Sequence, residues 1–166
     1  MFAREKILET KIALLRPLEE SDKAIFRELA QQDPAMWEYF TLNLADPVQL
    51  DQWMEAALRE QAAGTRLPFT IIDQRNGAIA GSSSLGNISV LDGRAEIGWS
   101  WLAPEFRSTG LNRHAKYALM REAFEVHDCE RIEFKTDVLN LRARKGLEAV
   151  GGIEEGILRS HMKMWN

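Results

Sequence analysis

Arg107-Ser108-Thr109-Gly110-Leu111-Asn112 stands between a strand-like segment, Ala95 to Leu102, and a long amphipathic helix, and its reading decides the fold. A glycine at the entry to a helix lets several backbone N–H groups approach an anion closely. The partial positive charge of the helix N-terminus adds to the attraction. Arg107 and Arg113 flank the stretch with permanent positive charge. An ordinary turn also uses glycine here, so the neighbours must decide between a turn and a phosphate cradle. The stretch lacks Gly-Lys-Ser/Thr, which excludes a Walker-type nucleotide loop.

Downstream, the pattern predicts a helix from about Gly110 to His127, a strand from Arg131 to Asp137, a helix from Leu141 to Val150 and a last strand from Ile153. Upstream, Leu67 to Asp73 and Ala78 to Leu91 read as strands joined through Asn76-Gly77, a hairpin signal because both residues accept positive φ. Asp92-Gly93 repeats the signal before Ala95 to Leu102, which makes three consecutive antiparallel strands. Ile12 to Leu15, ending at Arg16-Pro17, predicts a first strand. Ser21 is placed to cap a helix through about Gln32, with Ala24, Ile25, Phe26 and Leu29 as its apolar stripe and Asp33-Pro34 as its end. Asp46-Pro47 opens a second helix carrying Leu50, Trp53, Met54, Ala57 and Leu58 at helical spacing, and Gly64 closes it. The order is α+β, a mainly antiparallel sheet with flanking helices. Without repeats or low-complexity linkers, residues 1–166 read as a single domain.

Composition sets the outer bounds. A chain of 166 residues with 45% hydrophobic and 28% charged side chains can bury a substantial core. No apolar run approaches the roughly 18 residues a membrane span needs. Met1 to Glu9 alternates charge with apolar residues and lacks a signal-peptide core, so a cytoplasmic location is expected. The net charge of −4 argues against general nucleic-acid binding, which calls for a basic face. Cys129 is alone and reads as structural, at a helix-to-strand junction. His114, His127 and His161 have neither metal-ligand spacing nor cysteine pairs nearby, and no metal site is assigned.

Several segments, taken in order, resemble the GNAT superfamily of N-acetyltransferases. Arg-x-x-Gly-x-Asn at 107 to 112 is similar to that family's Gln/Arg-x-x-Gly-x-Gly/Ala acyl-CoA pyrophosphate loop, with Asn112 where Gly or Ala is usual. The longer string from Ser108 to Lys116 resembles the Gly-Thr-Gly-x-Asn-x-x-x-Lys form of the ribosomal-protein N-acetyltransferase-like (Rim-type) branch. Asn140 to Gly152 resembles that branch's Asn-x-Arg-Ser-x-x-Ala-x-x-x-x-Gly-Ala segment, with Ala143 in place of the serine. Leu14 to Asp22 and Glu96-Ile97-Gly98-Trp99 also fit, so the resemblance covers nearly the whole chain.

The resemblance implies direct transfer of an acetyl group from acetyl-CoA, as co-substrate, to an amine in a ternary complex. By that analogy the backbone of Trp101 and Leu102 binds pantetheine, while N–H groups of Ser108, Thr109, Gly110, Leu111 and Asn112 hold the pyrophosphate beside Arg107. Lys116 lies one turn farther, and Asn140 caps its helix and reaches the cofactor arm. Arg113, Arg142, Arg144 and Lys145 are candidates for the nucleotide phosphates. Gly98-Trp99-Ser100-Trp101 is the candidate bulge that splays the sheet. Trp37 and Tyr39 are candidate walls of the acceptor pocket, with Glu38 placed to attract an amine.

Glu96 is the first candidate for general base, entering the central strand just after a turn. An α-amine with pKa near 8 is roughly a third neutral at pH 7.5, whereas a lysine near 10.4 is about 0.1% neutral, so an α-amine acceptor needs little help. Ser82, Ser83, Ser84 and Ser100 are candidate proton donors, and no tyrosine follows position 117 to serve as the acid. Relatives follow the Ile153 to Met164 strand with one more, and here the chain stops at Asn166. The expectation is a sheet without its final strand, or with one borrowed from a second subunit in a homodimer. The competing function is a catalytically silent acyl-CoA-binding or assembly module, which Ala143 and the lack of a clear acid favour.

Overall fold

The computed structural model describes residues 6–166. Residues 1–5, which include most of the apolar-charged alternation read for a signal sequence, lie outside the described residues. Six strands form one sheet in sequence order: β1 (Leu8–Glu9), β2 (Ala13–Pro17), β3 (Arg66–Asp73), β4 (Ala78–Ser89), β5 (Arg94–Leu102) and β6 (Arg131–Glu133). All neighbours are antiparallel except β5 and β6, which run parallel. Four α-helices flank the sheet: α1 (Lys23–Gln31), α2 (Pro47–Ala63), α3 (Leu111–Arg121) and α4 (Leu141–Glu148).

Helix α2 begins and ends where its sequence says. Asp46 accepts a hydrogen bond from the Val48 N–H at 2.8 Å, Pro47 takes the first helical position, and Gly64 closes the helix at φ 72°. The cap of α1 differs from expectation. Ser21 donates its hydroxyl to the Glu19 carboxylate, and Asp22 instead accepts the Glu19 N–H at 3.0 Å in a preceding 3-10 turn, Glu20–Asp22. Asp22 is the better choice because the same carboxylate takes both Arg16 guanidinium nitrogens, at 2.9 and 2.5 Å, and the Thr70 hydroxyl at 2.5 Å. Burial opposes its charge, but these donors win and hold the carboxyl below its usual range. The strand β2, the turn into α1 and the strand β3 are thereby tied at one point.

Adjacent strand residues face opposite sides of the sheet, and this sorts the helices. Trp101 meets Phe26 of α1 and Trp37 at ring-centroid distances of 5.0 and 5.5 Å, so α1 and α2 cover its face. Ser100, its neighbour, meets Lys116 of α3 on the other face. Phe26, Trp37, Leu50, Met54, Ile71, Leu85, Ile97, Leu111 and Leu119 are fully buried between these layers.

The C-terminal third departs most from the sequence-based expectation. The α3 pattern passes into a π-helical turn, Glu122–Val126, and the predicted strand from Arg131 to Asp137 closes after Glu133. No strand forms from Ile153 onward, and Ile153, Ile157 and Leu158 stay exposed. A strand exists only where its N–H and C=O groups find a partner edge, and three-residue β6 offers little of one. The tail is instead tied back by the Trp165 indole N–H, which donates to the Trp37 carbonyl at 2.7 Å.

Candidate functional site

The β5–β6 pairing stops at Glu96 opposite Glu133, and from Gly98 to Leu102 the outer edge of β5 has no strand neighbour. A wedge therefore opens between β5 and the chain that continues through Phe134 and Lys135. Where it opens, β5 carries a bulge. Ser82 pairs with Trp101 and Ser84 with Gly98, so two β5 residues oppose one on β4, and Trp99 sits at φ 53°. The bulge lies within the Gly98-Trp99-Ser100-Trp101 run. The close approach of β4 to β5 beside it needs a glycine: a Cβ on Gly81 would lie 2.1 Å from the Trp101 carbonyl oxygen.

At the end of β5 the loop to α3 turns twice through the left-handed region, at Ser108 (φ 59°) and Gly110 (φ 87°). Those turns point backbone amides outward. The N–H groups of Ser108, Thr109, Gly110 and Asn112 have no acceptor among the described residues, and Leu111 N–H has only a long bond to the Thr109 hydroxyl at 3.4 Å. The first intrahelical bond of α3 is His114 N–H to the Gly110 carbonyl. Four free, exposed donors at a helix N-terminus are what a pyrophosphate needs. Asn112 in place of a smaller residue does not crowd the loop, since its side chain is exposed.

Arg107 has a different placement from its neighbours. Its guanidinium donates to Asp33 at 2.6 Å, to the Leu102 carbonyl at 3.1 Å and to Met36 Sδ at 2.9 Å, so it fastens the turn after α1 to the end of β5. That contact holds the Asp33 carboxyl below its usual range. The same turn and the start of α4 border an open cleft of about 270 Å³ lined by Asp33, Ala35, Met36, Tyr39, Asn140, Leu141 and Arg142. Asn140 caps α4 as expected, accepting the Ala143 N–H at 3.1 Å. Tyr39 lies on the cleft wall, but Trp37 does not. Its indole is fully buried, donates to the Ala30 carbonyl at 2.9 Å and stacks edge-on against Phe40 and Trp101, because the 3-10 turn Pro34–Trp37 turns it inward. Glu38 is exposed on the turn, and Arg142 and Lys145 are exposed on α4. Arg144 is instead paired with Glu154 at 2.7 Å.

Glu96 is buried at the mouth of the wedge, on the α1–α2 face. Its carboxylate accepts from Asn87 Nδ2 at 2.7 Å and pairs with Lys135 Nζ at 3.0 Å. Lys116 lies on the opposite face with its ammonium 3.5 Å from the Ser100 hydroxyl and 5.9 Å from the centre of the Phe134 ring. Ser83 and Ser100 hydroxyls are 2.7 Å apart. Ser82 is turned away, donating to the Phe69 carbonyl.

One charged group gave no sequence signal. Arg66, at the start of β3, is buried between the Trp53 and Trp99 rings at 5.4 and 4.4 Å, and donates to Ser84 at 2.9 Å and Glu60 at 3.3 Å. Burial pushes it down to about 10, and its Nη2 has no partner among the described residues. In strand register Arg66, Gly86, Glu96 and Glu133 form one row across the sheet. Among the described residues no cluster of three or more His, Cys, Asp or Glu side chains can hold a metal, and no helix is long and apolar enough to cross a membrane.

The overall fold recurs in known proteins. The family model for an acetyltransferase (GNAT) domain matches residues 13–153. The chain is 30% identical over 152 residues to "Putative ribosomal N-acetyltransferase YdaF" of Bacillus subtilis (strain 168), covering 87% of this chain and 80% of that one. A GCN5-related N-acetyltransferase from Brucella melitensis superposes with a TM-score of 0.86 at 23% identity, over 96% of this chain and 73% of that chain. Mycobacterium smegmatis RimJ, solved in complex with CoA-disulfide, superposes with a TM-score of 0.80 at 22% identity, over 96% of this chain and 79% of that chain.

Proposed function

The chain belongs to the GNAT acetyltransferase family, and from that premise we propose that it moves an acetyl group from acetyl-CoA directly to a primary amine, a protein N-terminal α-amine in a ternary complex. The observation that carries this reading is the free amide loop at Ser108 to Asn112 set at the end of an open strand edge. The loop suits the pyrophosphate. The edge of β5 from Gly98 to Leu102 suits the amide groups of the pantetheine arm, Trp101 and Leu102 included, although the Leu102 carbonyl is already taken by Arg107.

Glu96 takes the role of base. Its buried carboxylate lies at the mouth of the wedge, and the Lys135 and Asn87 contacts fix its position. The Tyr39, Asn140 and Arg142 cleft beside the wedge provides room for the acceptor. The ribosomal designation of the Bacillus relative supports an α-amine acceptor, as does the modest basicity such an amine demands. A cytoplasmic location accords with that substrate. A homodimer covering the unpaired outer edge of β6 belongs to the same proposal, and light scattering that finds only monomer at micromolar concentration would remove it.

Titration calorimetry with acetyl-CoA on the wild type and on Gly110→Trp tests the cofactor site. Binding lost only in the variant, followed by CoA release with an amine panel, supports the reading. Saturable binding without transfer to any amine would replace it with a silent acyl-CoA-binding module.

A further inference from the structure

Lys116 is buried, 6% exposed, and has no carboxylate partner among the described residues; its polar contact is the Ser100 hydroxyl. A leucine or methionine at this place on α3, between the buried Ala115 and Leu119 turns, would pack without any desolvation cost. Structural need does not account for a cation here. Its position does suggest a use: Ser100 sits half-buried on the β5 bulge, where the outer strand edge is unpaired, and the Phe134 ring on the other wall lies beside the Lys116 ammonium. Ser83 completes a chain of hydroxyls at 2.7 Å. On the opposite face of the sheet, at the mouth of the wedge, Glu96 of the same strand pairs with Lys135 from the other wall. One face of the opening thus carries a carboxylate that can accept a proton, and the other a hydroxyl backed by an ammonium that can supply one.

We propose that Ser100 and Lys116 receive the departing CoA thiolate, Ser100 donating to the sulfur and Lys116 replacing the donated proton. The proposal rests on the acetyl-CoA reading above. In the step, the acceptor nitrogen forms a bond to the thioester carbonyl carbon and gives its surplus proton to Glu96. The C–S bond breaks and its electron pair stays on sulfur. The Ser100 hydroxyl proton passes to that sulfur, a proton from Lys116 restores the hydroxyl, and solvent exchange resets Glu96 and Lys116. The products are the N-acetyl amide and CoA thiol. Burial lowers Lys116 to about 8, still above neutral pH, so the amine is an ammonium at pH 7 whose proton is easier to give.

The test needs no acceptor. CoA thiol is bound at saturation and its ionisation followed by ultraviolet thiolate absorbance against pH, with affinity read separately by calorimetry. A thiolate beside an ammonium ionises more easily. Bound CoA should ionise about tenfold more readily than free CoA, the pKa falling by about one. Lys116→Met and Ser100→Ala should each abolish that difference while leaving affinity at pH 7, where free CoA is the thiol, within about twofold. Glu96 and Lys135 are common to all three proteins, so their influence cancels in the comparison. Ser100→Ala serves alone if Lys116→Met does not fold. Bound CoA that titrates like free CoA, or a shift retained in either variant, overturns the proposal. Failure of the wild type to bind CoA removes the acetyl-CoA reading itself, and this inference with it.

Discussion

Replacing Lys116 with methionine should make the protein more stable, and by an amount that depends on pH. Burial lowers this lysine from 10.5 to about 8. At about 1.4 kcal/mol per pKa step, holding the ammonium in the folded interior costs about 3 kcal/mol at pH 7. The hydrogen bond to Ser100 at 3.5 Å and the cation–π contact with Phe134 at 5.9 Å return ~1 kcal/mol. Methionine fills a similar volume without charge, so Lys116→Met should gain about 2 kcal/mol at pH 7, or roughly 4–8 °C in Tm for a chain of this size. The unfolded chain binds the lysine proton up to about pH 10.5, whereas the folded chain releases it near 8. Between these values the wild type becomes relatively more stable as pH rises, and the gap to the variant closes. Urea unfolding of both proteins at pH 7 and pH 10 measures it. A variant less stable than wild type at pH 7, or a difference unchanged at pH 10, would show that the ammonium is not desolvated.

Gly81→Ala places a Cβ 2.1 Å from the Trp101 carbonyl, backbone against backbone, and should cost more than about 3 kcal/mol in urea unfolding; a loss under 1 kcal/mol would refute the close β4–β5 approach. Asp22→Asn should cost about 3 kcal/mol at pH 7 by leaving Arg16 and Thr70 poorly matched. Because the folded Asp22 carboxyl is held below 3.8, its contribution is present above that value and fades as pH falls through the lower folded pKa, so wild type and variant should converge in acid. Glu96→Gln should lower the rate of acetyl transfer at pH 7 by about 10²–10⁴ while acetyl-CoA affinity stays unchanged, and a rate within threefold of wild type would refute its role as base.

The parts of the fold legible in the sequence are those set by local chemistry. Asn76-Gly77 and Asp92-Gly93 mark the two hairpins because their glycines sit at φ 74° and 58°, and Asp46-Pro47 with Gly64 bounds α2. The amide loop was legible for the same reason, through Gly110. Long-range pairing is what the sequence hid. Arg107 reads as a phosphate ligand from its neighbours, yet Asp33, 74 residues away, takes its guanidinium. Trp37 reads as a pocket wall, yet a 3-10 turn of four residues rotates it into the core. Ser21 reads as the cap of α1, yet Arg16 and Thr70 converge on Asp22, the neighbouring residue. The strand expected after Ile153 has the right residues and no partner, and pairing rather than propensity decides whether a strand exists.

The C-terminal segment also sets how the protein responds to its own ligand. Helix α4 buries none of its residues, and β6 holds the sheet by a three-residue parallel ladder. Hydrogen exchange should accordingly be slow through β2 to β5 and fast from residue 131 onward, making this segment a separate, weaker folding unit. Phe134 and Lys135, one wall of the wedge, and Asn140 of the neighbouring cleft belong to that weaker unit. On the acetyl-CoA reading proposed above, closing this wall would carry an ordering cost, and the bound thioester would act as the missing neighbour that firms up the segment from residue 131 onward.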